Sequence, residues 1–133
     1  MIRVLLDTGV LCALAVPSDQ LHPRAQEEQE VLWGQGYAGM VLYPTLLETQ
    51  RRILQRMYPQ FARAWFEAVL EELNPINPDA QAYRDAAKLL RNYPDQKITL
   101  HDAALAIVSR DLAIPVWTFD HHLELMGAQI WPN

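Results

Sequence analysis

Cysteine occurs once, at position 12, so no internal disulfide can form and a reducing cytoplasm is the expected compartment. Long hydrophobic runs are also missing. The longest, 10–16, falls far short of the roughly 20 residues that span a bilayer, so no membrane passage is expected. A cleaved leader is the rival reading of the N-terminus, since Arg3 precedes apolar residues and Ala13-Leu14-Ala15 looks like a cleavage site. Asp7, in the middle of that region, argues against it. A basic balance is absent too: the net charge is −5, whereas proteins that neutralise many phosphates usually carry the opposite sign. No HExxH, CxxC or P-loop pattern is present, which removes support for zinc-protease, dithiol and NTPase chemistry. With no low-complexity stretch or linker, the 133 residues read as a single domain, 1–133, able to bury about 65–70% of its unfolded surface.

What is present is an alternation of strands and helices. Arg3 to Gly9, RVLLDTG, is a short apolar run closed by an aspartate and a turn, the pattern of a buried parallel strand at 3–7. The pattern then predicts helices over 9–16 and 21–33 and a strand from Tyr37 to Tyr43 that Pro44 stops. A helix from Thr45 to Tyr58-Pro59 and another over 60–73 form a helical hairpin, with apolar residues at helical spacing. NPINP, at 74–78, is a connector or at best a short strand, and a helix follows at 79–92. A nearly all-apolar helix at 100–112 precedes a strand at 114–119, a short helix to Gly127 and a last strand at 128–131. The fold class is therefore α/β, a mostly parallel central sheet covered by helices on both faces.

This layout gives the acidic residues a meaning. In parallel sheets the carboxyl ends of the strands and the amino ends of the following helices share one edge, where ligands bind. Asp7 and Asp120 each end a strand, while Glu48 and Asp102 are expected in the first turn of helices starting at that edge. Taken singly, each has a structural explanation. Thr45-Leu46-Leu47-Glu48 fits a capping box, Thr99-Leu100-His101-Asp102 is a near variant, and Asp120 suits an N-cap. Caps have no reason to converge, however, and four like charges in one cleft repel unless a cation sits among them. An all-carboxylate set suits Mg²⁺ or Mn²⁺. The arginines Arg51, Arg52, Arg56 and Arg63 crowd into thirteen positions, as a solvated helix face or as a local patch for a phosphate backbone.

The segments DTG at Asp7, LLETQRR at Glu48, YPDQKITLHDA at Asp102 and WTFDHHLELMG at Asp120 resemble the PIN-domain ribonucleases of the VapC toxin type, and the resemblance runs over essentially the whole chain. It implies a PIN-like fold and metal-dependent hydrolysis of RNA phosphodiester bonds, with Asp7, Glu48, Asp102 and Asp120 as catalytic and metal-binding residues around Mg²⁺ or Mn²⁺. It also implies an RNA substrate, an antitoxin protein of the VapB kind and a homodimer. Gly9 stands where the family often has a hydroxyl or Asn, and Thr8 and Thr118 are placed to orient neighbouring carboxylates. His122 reads as an exposed helix residue or a contact to substrate or metal, and His101 and His121 have weaker claims. Two other classes compete. A HAD-like phosphatase needs a second acid two residues after the first, where Gly9 stands. A module that binds an antitoxin without cutting RNA draws on Trp33 and Trp65, aromatic anchors on helices bordering a groove.

Overall fold

The computed structural model describes residues 2–132. Strand β1 (Ile2–Leu6) leads into helices α1 (Thr8–Ala15) and α2 (His22–Gly34), then strand β2 (Tyr37–Met40). Helices α3 (Tyr43–Arg56) and α4 (Pro59–Glu72) pack together as the expected hairpin and are followed by α5 (Ala80–Leu90) and α6 (Leu100–Leu112). Strand β3 (Val116–Trp117), the short α7 (His121–Leu125) and strand β4 (Ile130–Trp131) complete the chain. The sheet has the order β2-β1-β3-β4 and every pairing is parallel.

The centre of the sheet is apolar on both faces because both are covered. Leu5 and Val116, paired in register, turn to one side and pack with Leu105, Leu123 and Met126. Val4, Leu6 and Trp117 turn to the other and pack with Val10, Leu11 and Leu32. All of these residues are buried.

Two boundaries at Pro44 differ from the sequence expectation for one local reason, and the last two strands are shorter than expected, 116–117 against 114–119 and 130–131 against 128–131. Helix α3 begins at Tyr43, not Thr45, because Pro44 occupies its first turn, where a missing N–H removes no hydrogen bond. Strand β2 accordingly ends at Met40, short of Tyr43. Ile76, inside NPINP, makes one parallel bridge to Leu42, its N–H donating to the Val41 carbonyl and its carbonyl accepting from the Tyr43 N–H. The glycines of 34–39 have the spacing G-x-G-x-x-G, yet Gly34 ends a helix and Gly39 lies within a strand. A dinucleotide fingerprint needs the reverse order, strand then helix, so the segment carries no phosphate loop.

Gly39 has a packing role instead. A Cβ there would stand 2.8 Å from Leu6 Cδ1, 3.4 Å from Trp33 and 3.5 Å from Leu73. Strand propensity alone favours valine at this position. Overpacking wins, because Leu6 is buried: Gly39→Val is expected to lower unfolding free energy by about 1–3 kcal/mol in a urea titration, and a gain in stability would refute that packing argument.

Candidate active site

Strand order decides where this sheet opens. From β1 the chain runs through α1 and α2 to β2 on one side, and from β3 it runs through α7 to β4 on the other. The connections leaving two adjacent strands thus diverge, and a crevice forms beyond their carboxyl ends. It is a cleft of about 250 Å³, and Asp7, Glu48, Asp102 and Asp120 all line it. All of the acids singled out from the sequence therefore meet, together with Thr8, Thr99, Phe119 and Arg52.

Asp7 lies deepest, only 5% exposed. Its backbone N–H donates to the Trp117 carbonyl (3.2 Å), which ties the end of β1 to β3. Its side chain caps α1: Oδ1 accepts from the Thr8 N–H at 2.7 Å and Oδ2 from the Thr118 hydroxyl at 2.6 Å. Burial raises the pKa of this carboxyl, opposed by those two hydrogen bonds and by His101, and reinforced by the Asp102 charge. The Thr118 hydroxyl also accepts from the Asp120 N–H at 2.9 Å, so one threonine sets both the first and the last acid of the cleft. Thr8 donates to Glu48 Oε2 at 3.4 Å. Both threonines thus contact carboxylates, as the sequence suggested.

Asp102 forms the capping box with Thr99: its backbone N–H donates to the threonine hydroxyl and its side chain accepts from the Thr99 N–H. Glu48 does not. Because α3 starts at Tyr43, Glu48 lies beyond the first turn and Thr45 caps nothing, which overturns both the capping box and the first-turn placement read for this pair. Glu48 instead accepts from Arg52 (3.2 Å), one turn on, and faces His101 Nδ1 at 3.0 Å. Asp120 is the N-cap of α7, accepting from the His122 N–H, with His122 Nδ1 at 3.2 Å from the same oxygen.

His101 is the residue that sequence reasoning undervalued. One of its ring nitrogens and oxygens of Asp7 and Asp102 lie within 4.8 Å of one another, while Nε2 is 2.7 Å from the Thr45 hydroxyl. The arginine cluster, by contrast, does not act as one patch. Arg52 is drawn to Glu48 and Arg56 to Asp19, at 2.7 Å, the latter holding the Asp19 carboxyl below the usual range. Arg56→Ala should lower stability by less than about 1 kcal/mol at neutral pH, since the pair is solvent-screened. That small difference should fade as pH falls through the depressed folded pKa of Asp19, which thermal melts of both proteins across acid pH would show.

A PIN domain family model matches residues 4–128. The chain belongs to the PIN domain family. Among solved structures, VapC20 from Mycobacterium tuberculosis, a sarcin-ricin loop cleaving toxin, superposes with a TM-score of 0.80 over 94% of this chain and 95% of that one, at 21% identity. VapBC2 from Rickettsia felis, bound to a DNA fragment from its promoter, gives 0.72 over 98% and 96% at 15% identity. FitAcB from Neisseria gonorrhoeae gives 0.67 over 96% and 95% at 16% identity. At these identities the likeness is one of fold. No curated protein matches this chain in sequence.

In this PIN domain the donors facing the cleft are overwhelmingly carboxylate oxygens, and among the described residues no lysine or arginine stands against the deepest of them. Hard divalent cations prefer such oxygens, and the charge of one offsets both the mutual repulsion and the burial of Asp7. The residues therefore fit a divalent metal ion. The second group with metal-ligand proximity, Asp120, His121 and His122, lies at the start of α7. No helix among the described residues is long and apolar enough to cross a membrane.

Proposed function

We propose that the protein is a divalent-metal-dependent endoribonuclease, the toxin of a type II toxin-antitoxin pair, hydrolysing RNA phosphodiester bonds in the cleft beyond β1 and β3. The observation that carries this reading is the gathering of Asp7, Glu48, Asp102 and Asp120 at one switch point from four distant parts of the chain. These four carboxylates would hold Mg²⁺ or Mn²⁺. Such an ion, when bound, lowers the pKa of water and stabilises charge developing on the phosphate and the leaving oxygen. The chain's own groups prepare the place for it. Thr118 and the Thr8 N–H fix both oxygens of Asp7, and Arg52 brings a guanidinium into the same cleft to meet a phosphate.

The family and the VapC20 and VapBC2 folds support the toxin assignment and, with it, an antitoxin partner; the proposal adds a homodimer and a cytoplasmic location. A second reading, an antitoxin-binding module without nuclease activity, draws on an apolar groove of about 260 Å³ between α1, α2 and α4. It is lined by Leu11, Leu14, Trp33, Trp65 and Leu73, with Trp33 43% exposed.

Incubating the purified chain with single-stranded RNA tests the proposal. Cleavage is expected with millimolar Mg²⁺ or Mn²⁺ and none with EDTA. An ion that binds only the folded state at about 100 times its Kd adds roughly 2.7 kcal/mol of stability, so the same ions should also raise the Tm. RNA left intact, with a Tm indifferent to both ions, would refute the nuclease and leave the partner-binding module.

A further inference from the structure

The imidazole of His101 is built into the site from two sides. Its Nδ1 stands 3.0 Å from Glu48 Oε2 and 3.8 Å from Asp102 Oδ1, and a ring nitrogen lies within 4.8 Å of an Asp7 oxygen. Ligands of one small divalent ion stand about 3.0 Å apart when adjacent and about 4.2 Å when opposite, so Asp7, His101 and Asp102, with ligand atoms within 4.8 Å of one another, come near the spacing of a shared ion. On the far side of the ring, Nε2 is 2.7 Å from the hydroxyl of Thr45, a fully buried residue. Metal-bound histidines almost always have their second nitrogen held by an oxygen, which fixes both the ring's orientation and its tautomer. A hydroxyl can serve either tautomer. Donating to Nε2, Thr45 leaves an Nδ1–H pointing at Glu48; accepting from an Nε2–H, it leaves the Nδ1 lone pair among the carboxylates. In either tautomer the ring need not turn.

We infer that His101 is a nitrogen ligand of the divalent ion and tilts the site from Mg²⁺ towards Mn²⁺. The inference rests on the metal-dependent reading proposed above and adds to it a ligand that the acidic residues alone do not include. Its chemical basis is donor type. Mg²⁺ keeps a shell of oxygens, whereas first-row transition ions accept imidazole, so replacing one oxygen by Nδ1 favours Mn²⁺.

Pulsed electron paramagnetic resonance on the intact chain loaded with Mn²⁺ alone decides the matter. A nitrogen coupling of directly bound imidazole is expected in the parent protein and in a His121→Gln/His122→Gln variant, which keeps His101 as the histidine nearest the acids. The coupling should vanish in His101→Gln. Calorimetric titration should give Mn²⁺ at least about tenfold tighter binding than Mg²⁺. Thr45→Val, which removes the anchor of the ring but keeps its shape, should weaken Mn²⁺ binding by about tenfold. Mn²⁺ bound without nitrogen coupling, or with a coupling that disappears with His121 and His122, would overturn the inference and leave the nuclease reading standing. Failure to bind Mn²⁺ at all would sink both.

Discussion

Asp7→Asn should abolish RNA cleavage, by a factor of about a thousand or more, and at the same time raise the Tm of the metal-free protein by a few degrees at neutral pH. The two effects have one origin. Burial raises the folded-state pKa of Asp7 above its unfolded value, so the folded protein binds the extra proton and stability falls as pH rises between the two values. Once pH has risen past the raised folded-state value, the ionised carboxylate weakens the fold in full. Asparagine removes the charge and keeps an oxygen to accept from the Thr8 N–H, the cap of α1. The hydroxyl of Thr118 loses its anionic acceptor, which limits the gain. A neutral amide binds a hard cation poorly, so the ion-dependent rise in Tm should shrink as activity disappears. Activity assays and melting curves with and without Mn²⁺, across acid and neutral pH, measure all three. RNA cleavage by Asp7→Asn at the parent rate would reduce Asp7 to a helix cap.

The largest loss of stability is expected at Trp117. Its side chain is fully buried, set edge-on to Trp33 at 6.5 Å and to Trp131 at 6.0 Å. Its indole N–H donates to Glu28 Oε1 at 2.8 Å, and Glu28 also pairs with Arg24, whose guanidinium lies 4.6 Å from the Phe119 ring centre. Trp117→Ala removes ring, hydrogen bond and aromatic contacts together and should lower unfolding free energy by about 4–5 kcal/mol. A domain of this kind has a total of only about 5–15 kcal/mol, so much of the variant should be unfolded at physiological temperature. Trp117→Phe keeps a ring and leaves Glu28 its arginine, and should lower stability by about 1–2 kcal/mol. Urea denaturation of both variants checks the order. A loss below about 1 kcal/mol for alanine would mean that α2 does not depend on this contact.

The parts of this fold legible in the sequence are those set by local pattern. The buried strand ending at Asp7, the alternation that makes a parallel sheet and the hairpin of α3 and α4 follow from periodicity and punctuation. So does the meeting of the acids, because parallel topology sends every strand end to the same edge. What escaped needed information from other segments. Pro44 has the same preference for the end of a strand and the first turn of a helix, and nothing within 40–46 chooses between them. Glu48 consequently had the wrong local role and the right destination. His101 precedes Asp102 on a helix, where adjacent residues point about 100° apart, and its use depends on Thr45, 56 positions away. Arg56 looked like part of a basic face until Asp19, 37 residues earlier, met it.

The pairing of β1 with β3 also sets when the cleft can be completed. Leu5 lies opposite Val116, and Asp7 holds Thr118 across 111 positions of sequence. As the chain emerges from the ribosome, β1 has β2 on one flank and nothing on the other until residues 116–117 arrive. Contacts this distant in sequence form slowly and last. Every shorter nascent chain therefore lacks the wall that carries Thr118 and Asp120, and with it the second half of the cleft. A cleft assembled this way stays open on one side until residues 116–120 are in place.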